Sequence, residues 1–187
     1  MKKEYGILIV AAIIVGVIVL ILHTSISTHD RYAGHKHHLQ IMSERDFIEH
    51  MIPHHAEAVT ASSELLTAGG AVTPALRTLA EAILTDQSRE IEQMKQWYEN
   101  WYGETYEDKG DYLPMMRPVS LLKKDDMAQV YATDMLAHHQ AAILSAEAVL
   151  DVSPRAEIAN LARGIIETQK LEISLLEEVL ANLPAAN

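Results

Sequence analysis

From Ser43 onward, apolar residues recur with a helical period in four stretches, whereas positions 1–42 divide into an unbroken apolar run and a polar stretch without period. Ser43 opens the first helix, its hydroxyl able to cap the amide three residues on, and Phe47, Met51, Ala58, Leu65 and Leu66 continue the stripe until Gly69-Gly70 ends it. Pro53 falls inside, where it removes a backbone hydrogen bond and is expected to bend the helix just before His54. Thr73 as cap and Pro74 as first helical residue start the second helix, which runs through Trp97 to about Tyr102, with Gly103 as the stop. The third extends from near Asp125 to about Leu150. Ser153-Pro154 repeats the cap-then-proline device, and the fourth helix ends before Pro184. Between the second and third, the segment from Gly103 to Pro118 is longer than most helix connections, and the expectation is that it crosses an end of the bundle.

The second half repeats the first. Met51-Ile52-Pro53-His54-His55 returns 84 positions later as Met135-Leu136-Ala137-His138-His139. Leu79-Ala80-x-x-Ile83-Leu84-x-x-Gln87-x-x-Glu90-Ile91 returns as Leu161-Ala162-x-x-Ile165-Ile166-x-x-Gln169-x-x-Glu172-Ile173, with an offset of 82. A duplicated helical hairpin predicts an all-α four-helix bundle over 43–184: repeat one 43–103, a loop 104–122 and repeat two 123–184.

The apolar run Gly6 to Leu22, behind Lys2 and Lys3, is long enough to span a bilayer, and the exit His23-Thr24-Ser25-Ile26-Ser27 is a poor cleavage site. The expectation is a cytoplasmic stub (1–5), a retained transmembrane helix (6–23) and a tether (24–42) carrying an extracytoplasmic domain, periplasmic or at the cell surface. A processed signal peptide is the alternative.

Composition narrows the chemistry. The chain is 49% hydrophobic but only 5% aromatic and poor in Gly and Pro, which favours helices. Its net charge of −11, with no basic cluster beyond the first three residues, argues against nucleic acid and for a cation as partner. Without cysteine there is neither a disulfide nor a thiolate site, so soft ligation falls to Met and His.

On a helix, Met51 shares a face with His54 and His55, and Met135 with His138 and His139. These six are the candidate metal ligands. Gln87, Glu90 and Met94 share a face of the second helix, as Gln169 and Glu172 do on the fourth, where Leu176 replaces the Met. They are candidates to orient the imidazoles or to ligate directly, as is His50, one turn before His54. Thioether and imidazole without thiolate select copper, Cu(I) above all, and Ag(I) by the same softness. Neutral imidazole ligates and imidazolium does not, so binding is expected to weaken as pH falls through about 6.5. His35, His37, His38 and Met42 in the tether, with Met115 and Met116 in the loop, are candidates for accessory capture.

Catalytic motifs are missing. There is no His-Glu-x-x-His, no Ser elbow and no phosphate-binding Gly loop. The residues three before His50, His54, His55, His138 and His139 are Phe47, Met51, Ile52, Met135 and Leu136, so no Glu-x-x-His pair of the di-iron kind exists.

Phe47, Met51, Ile52, His54, His55 and Glu57-Ala58, followed by Ala80, Ile83, Gln87, Glu90, Ile91 and Met94, resemble the two motifs of the domain-of-unknown-function family numbered 305, over roughly Ser43 to Leu183. The resemblance implies a ferritin-like four-helix bundle, often exported, in a family that includes periplasmic copper-binding proteins. The expected function is therefore a membrane-anchored, non-catalytic copper binder for buffering, delivery or resistance, working with a copper-handling protein partner. The alternatives are an interaction module of the cell envelope, with the His networks structural, and a copper or iron redox enzyme.

Overall fold

A computed structural model of the chain describes residues 43–68, 72–152 and 155–183. The anchor, stub and tether expected over 1–42 lie outside the described residues, and with them His35, His37, His38 and Met42. Among the described residues, four long helices carry the fold: α1 Glu44–Thr67, α2 Pro74–Tyr102, α3 Lys124–Leu150 and α4 Ala156–Asn182, with one 3-10 turn at Val119–Leu121. Among the described residues there is no strand, and no helix is long and apolar enough to cross a membrane.

The helix boundaries follow local chemistry. Ser43 forms a full capping box with Asp46, and Thr73 accepts from the Leu76 amide at 3.2 Å with Pro74 behind it. Gly103 stops α2 in the left-handed conformation at φ 70°, where a side chain would be strained. Pro53 lies within α1 without ending it. The start of α4 differs from expectation: its first residue is Ala156, not Pro154, and Arg155 flanks it without a side-chain cap. In place of a local cap, Glu44 of α1 accepts hydrogen bonds from the Arg155 amide and guanidinium, a carboxylate at the positive end of a helix.

Cross-contacts fix the topology. His55 meets Glu90 and Arg45 meets Tyr98, so α2 runs against α1; Ser62 meets Tyr131 and His54 meets His138, so α3 also runs against α1. Helix α4 runs against α3, with His139 beside Glu172 and Glu147 near Lys170. Helices α2 and α3 are therefore parallel, and the chain leaves α2 at one end of the bundle and must enter α3 at the other. The connection consequently runs along the side of the bundle rather than across one end, as one long crossover between the two hairpins. It lies parallel to α1, fastened by Lys109 to Glu49, by Tyr112 and the Met115 and Met116 amides to Glu57, and by Ser120 to Glu64. Arg117 adds a two-pronged contact to Asp134 on α3.

Two apolar clusters fill the bundle. One gathers Leu65, Leu76, Ile83, Val119, Tyr131, Met135 and Leu176, and the other Phe47, Met51, Met94, Val149, Ile158 and Ile165. The repeat relates them. Tyr131 of the first and the buried Ser62 beside it correspond, 84 positions apart, to Phe47 and Ala146 of the second. The Tyr131 hydroxyl needs a buried partner and has one in Ser62 at 2.7 Å, whereas Phe47 needs none and its counterpart pair is apolar.

Candidate metal centre

Midway along the bundle the apolar filling gives way to a polar layer. His54 and His55 on α1 and His138 and His139 on α3 are each 0% exposed, and Gln87, Gln169 and Glu172 are buried beside them. Successive positions on a helix point about 100° apart, so each His pair divides its work. His54 and His138 meet at the centre with ring centroids 3.6 Å apart and planes inclined by 34°. His55 turns outward to Glu90 of α2 at 2.9 Å, and His139 to Glu172 of α4 at 2.9 Å. Both Gln-x-x-Glu helices thus face the His pair of their own hairpin.

The hydrogen-bond account of this layer does not close. Among the described residues, both nitrogens of His54, both of His139, and Nδ1 of His55 and of His138 lack a partner, as do both amide atoms of Gln87 and Oε1 of Gln169. The His139 Nε2 contact to Glu172 has the distance but not the direction of a hydrogen bond, so that nitrogen counts as unbonded despite the short approach. Buried polar atoms without partners cost about 1–3 kcal/mol each and are rare in native interiors.

Burial also sets the charge state. It pushes His54 well below its ordinary value, helped by His138, His55 and His50. Burial moves His138 down to about 4 against the opposing pull of Glu57, and His139 down to about 3 with His55 adding to the effect. These three imidazoles are accordingly neutral at pH 7, and the loss of ligating power expected near pH 6.5 moves to lower pH. Glu172 is pushed up to about 7, first by burial and then by Glu90 and Asp86. Burial would raise Glu57 too, but hydrogen bonds from His138, Tyr112 and the Met116 and Met115 amides outweigh it and hold the carboxyl below its ordinary range.

The methionines border this layer. Met51 and Met94 sit together in one apolar cluster, and Met135 sits with Leu176 in the other, all four fully buried. Met116 is buried with Met135, while Met115 is half-buried on the crossover. His50 is half-buried, its ring 5.8 Å from His54 and 5.9 Å from Tyr112. Among the described residues, no three His, Asp or Glu side chains surround one point closely enough to hold a metal ion in this conformation. Imidazole lone pairs lie in the ring plane, and the two tilted rings pack against each other with centroids 3.6 Å apart, so joint ligation by His54 and His138 requires one ring to turn.

Sequence reasoning overlooked Glu57 as a site residue. Its carboxylate takes the Tyr112 hydroxyl and the Met115 and Met116 amides, and lies 3.4 Å from His138 Nε2. The available signal was a break in the repeat, since the residue 84 positions on is Ala141.

Solved structures share this fold. CopM in the Cu(II)-bound form is 26% identical over 76% of this chain and 99% of that one, with a TM-score of 0.68. CopM in the Cu(I)-bound form is 30% identical over 73% and 94%, with a TM-score of 0.64, and CopM is also known in Ag-bound forms. A DUF305 fragment from Deinococcus radiodurans is 29% identical over 73% and 94%, with a TM-score of 0.61. No curated protein matches the chain. The family model described as "Domain of unknown function (DUF305)" matches residues 44–180, and the chain belongs to that family.

Proposed function

We propose that this chain binds copper as cargo in its histidine layer, for buffering, delivery or resistance, and catalyses no reaction of its own. The observation that carries this reading is the set of six partnerless ring nitrogens, out of the eight on four buried histidines, where the two halves meet. A fold that only needed stability would fill the layer with apolar side chains; unsatisfied, neutral nitrogen donors are what a cation uses. His54 and His138 supply the central pair. His55 is held by Glu90 and His139 lies against Glu172, with Gln87 and Gln169 at hand, while Met51 and Met135 add thioether sulfur one turn away along the same helices. Imidazole with thioether and no thiolate suits copper and silver, and the copper- and silver-bound forms of CopM support the same class of ion. The reading includes an anchor over 6–23 holding the bundle outside the cytoplasm, where a copper-handling partner loads or unloads it. Retention in the membrane fraction after a carbonate wash is its expected mark.

Metal content after equilibration with Cu(I) or Cu(II) tests the proposal. Uptake by the wild type, and its loss with retained helix content when His54, His55, His138 and His139 are all replaced by Ala, is the expected result. Uptake unchanged by that replacement contradicts it. The His55 and His139 approaches to glutamates on neighbouring helices favour a second reading, a purely structural network. It predicts no uptake by the wild type and loss of helix content on replacement.

A further inference from the structure

The duplication makes the two central histidines equivalent in sequence, yet they are not equivalent in bonding. His138 Nε2 lies 3.1 Å from the His54 carbonyl oxygen and 3.4 Å from a Glu57 carboxylate oxygen, while neither nitrogen of His54 has a partner among the described residues. A carbonyl and an ionised carboxylate only accept hydrogen bonds, so Nε2 of His138 carries the proton and its Nδ1, buried and partnerless, keeps the lone pair. The repeat breaks at the same place: Glu57 in the first half answers to Ala141 in the second.

We propose that Glu57 is a positioning residue that fixes His138 as a ligand through Nδ1, leaving His54 as the ring that turns to complete the site. The inference rests on the histidine layer being a copper site. Glu57 suits the task because its own position is determined independently: three groups of the crossover, the Tyr112 hydroxyl and the Met115 and Met116 amides, bind the same carboxylate. A group oriented by several hydrogen bonds orients its neighbour in turn, and losing such a partner commonly costs metal affinity about tenfold or more. His54, with no acceptor at either nitrogen, meets no hydrogen-bond cost on rotation. The Tyr112 ring, 5.9 Å from the His54 ring, forms part of its wall. The crossover therefore determines, through one carboxylate, which nitrogen the second half of the duplicated site presents.

Long-range proton–nitrogen spectra of the full-length chain, labelled with nitrogen-15 histidine, test this without relying on activity. In the metal-free wild type, His138 is expected as the Nε2–H tautomer, and Ag(I) titration should shift its Nδ1 while Nε2 stays protonated. Glu57→Ala should mix the His138 tautomers and weaken Ag(I) binding about tenfold, with Glu57→Gln, which keeps an acceptor oxygen, in between. A proton on Nδ1 in the wild type, silver on Nε2, or full affinity in both variants overturns the proposal. If Ag(I) shifts no histidine signal, the copper reading fails and takes this inference with it. The metal-free tautomer then reports separately whether Glu57 orients the ring. Should Glu57→Ala not fold, the Gln variant and the wild-type spectra decide alone.

Discussion

The pair Tyr131–Ser62 and its counterpart Phe47–Ala146 show how single residues obey or break the rules of a packed interior. In one half a buried hydroxyl is matched by another at 2.7 Å; in the other both groups are missing. Tyr131→Phe alone strands Ser62 and should cost about 1 kcal/mol in urea unfolding, whereas adding Ser62→Ala, which reproduces the apolar pair, should recover most of the loss. A double variant no more stable than the single one would show that the two hydroxyls are not coupled. His54 breaks the rule, being fully buried with neither nitrogen bonded. His54→Leu, similar in size and without polar atoms, should therefore keep or raise the thermal midpoint. A loss above about 2 kcal/mol, of the size that follows removal of a needed buried contact, would mean the ring has a structural task that the bonding pattern does not reveal.

At the scale of elements, the helices and most of their ends were legible because they depend on neighbours in sequence. Ser43 with Asp46, Thr73 with Pro74, and Gly103 at positive φ are local devices, and each lies where the pattern placed it. The beginning of α4 was not legible, because Glu44 binds Arg155 from another helix and no local spacing encodes that. The path of the crossover was missed for the same reason. It depends on α2 and α3 being parallel, which is visible only once the hairpins are packed. Its fastenings have no period in the segment itself, though Glu49, Glu57 and Glu64, which receive it, form a stripe on α1. Glu57 binds the Met115 and Met116 amides, Glu64 the Ser120 amide, and Glu49 side chains. Glu57→Gln should therefore speed hydrogen exchange at Met115 and Met116, while Glu64→Gln leaves those two amides unchanged. Equal protection in all three proteins would show that Glu57 is not what protects those amides, leaving the buried Met116 and Val119 side chains and the Lys109 and Arg117 contacts to hold the segment.

For the molecule as a whole, duplication is what brings the candidate donors together. The repeated Met-x-x-His-His phrase identified the four histidines, and antiparallel packing of the two copies places His54 against His138. That the two His of each pair diverge followed from the 100° turn per residue, but which of them meets its twin, and how closely the central rings pack, depends on the packing of the hairpins. The same layer should govern the acid response. His54, His138 and His139 are depressed in the folded state, so the stability they contribute is complete above about pH 6.5 and is lost as pH falls toward about 4 for His138 and about 3 for His139. Glu172, raised from 4.5 to about 7, acts the other way between those values, since it binds its proton more tightly when folded. Three groups against one make metal-free stability rise from pH 4.5 to pH 6.5, a trend that urea midpoints in the presence of a chelator would measure; a flat or falling trend would contradict the buried, neutral histidines. Anomalous diffraction at the copper edge from crystals loaded with Cu(I) decides whether the ion lies where the halves meet: a peak within bonding distance of both His54 and His138 is expected, and peaks confined to surface carboxylates and the tether, with none inside the bundle, would overturn the proposal.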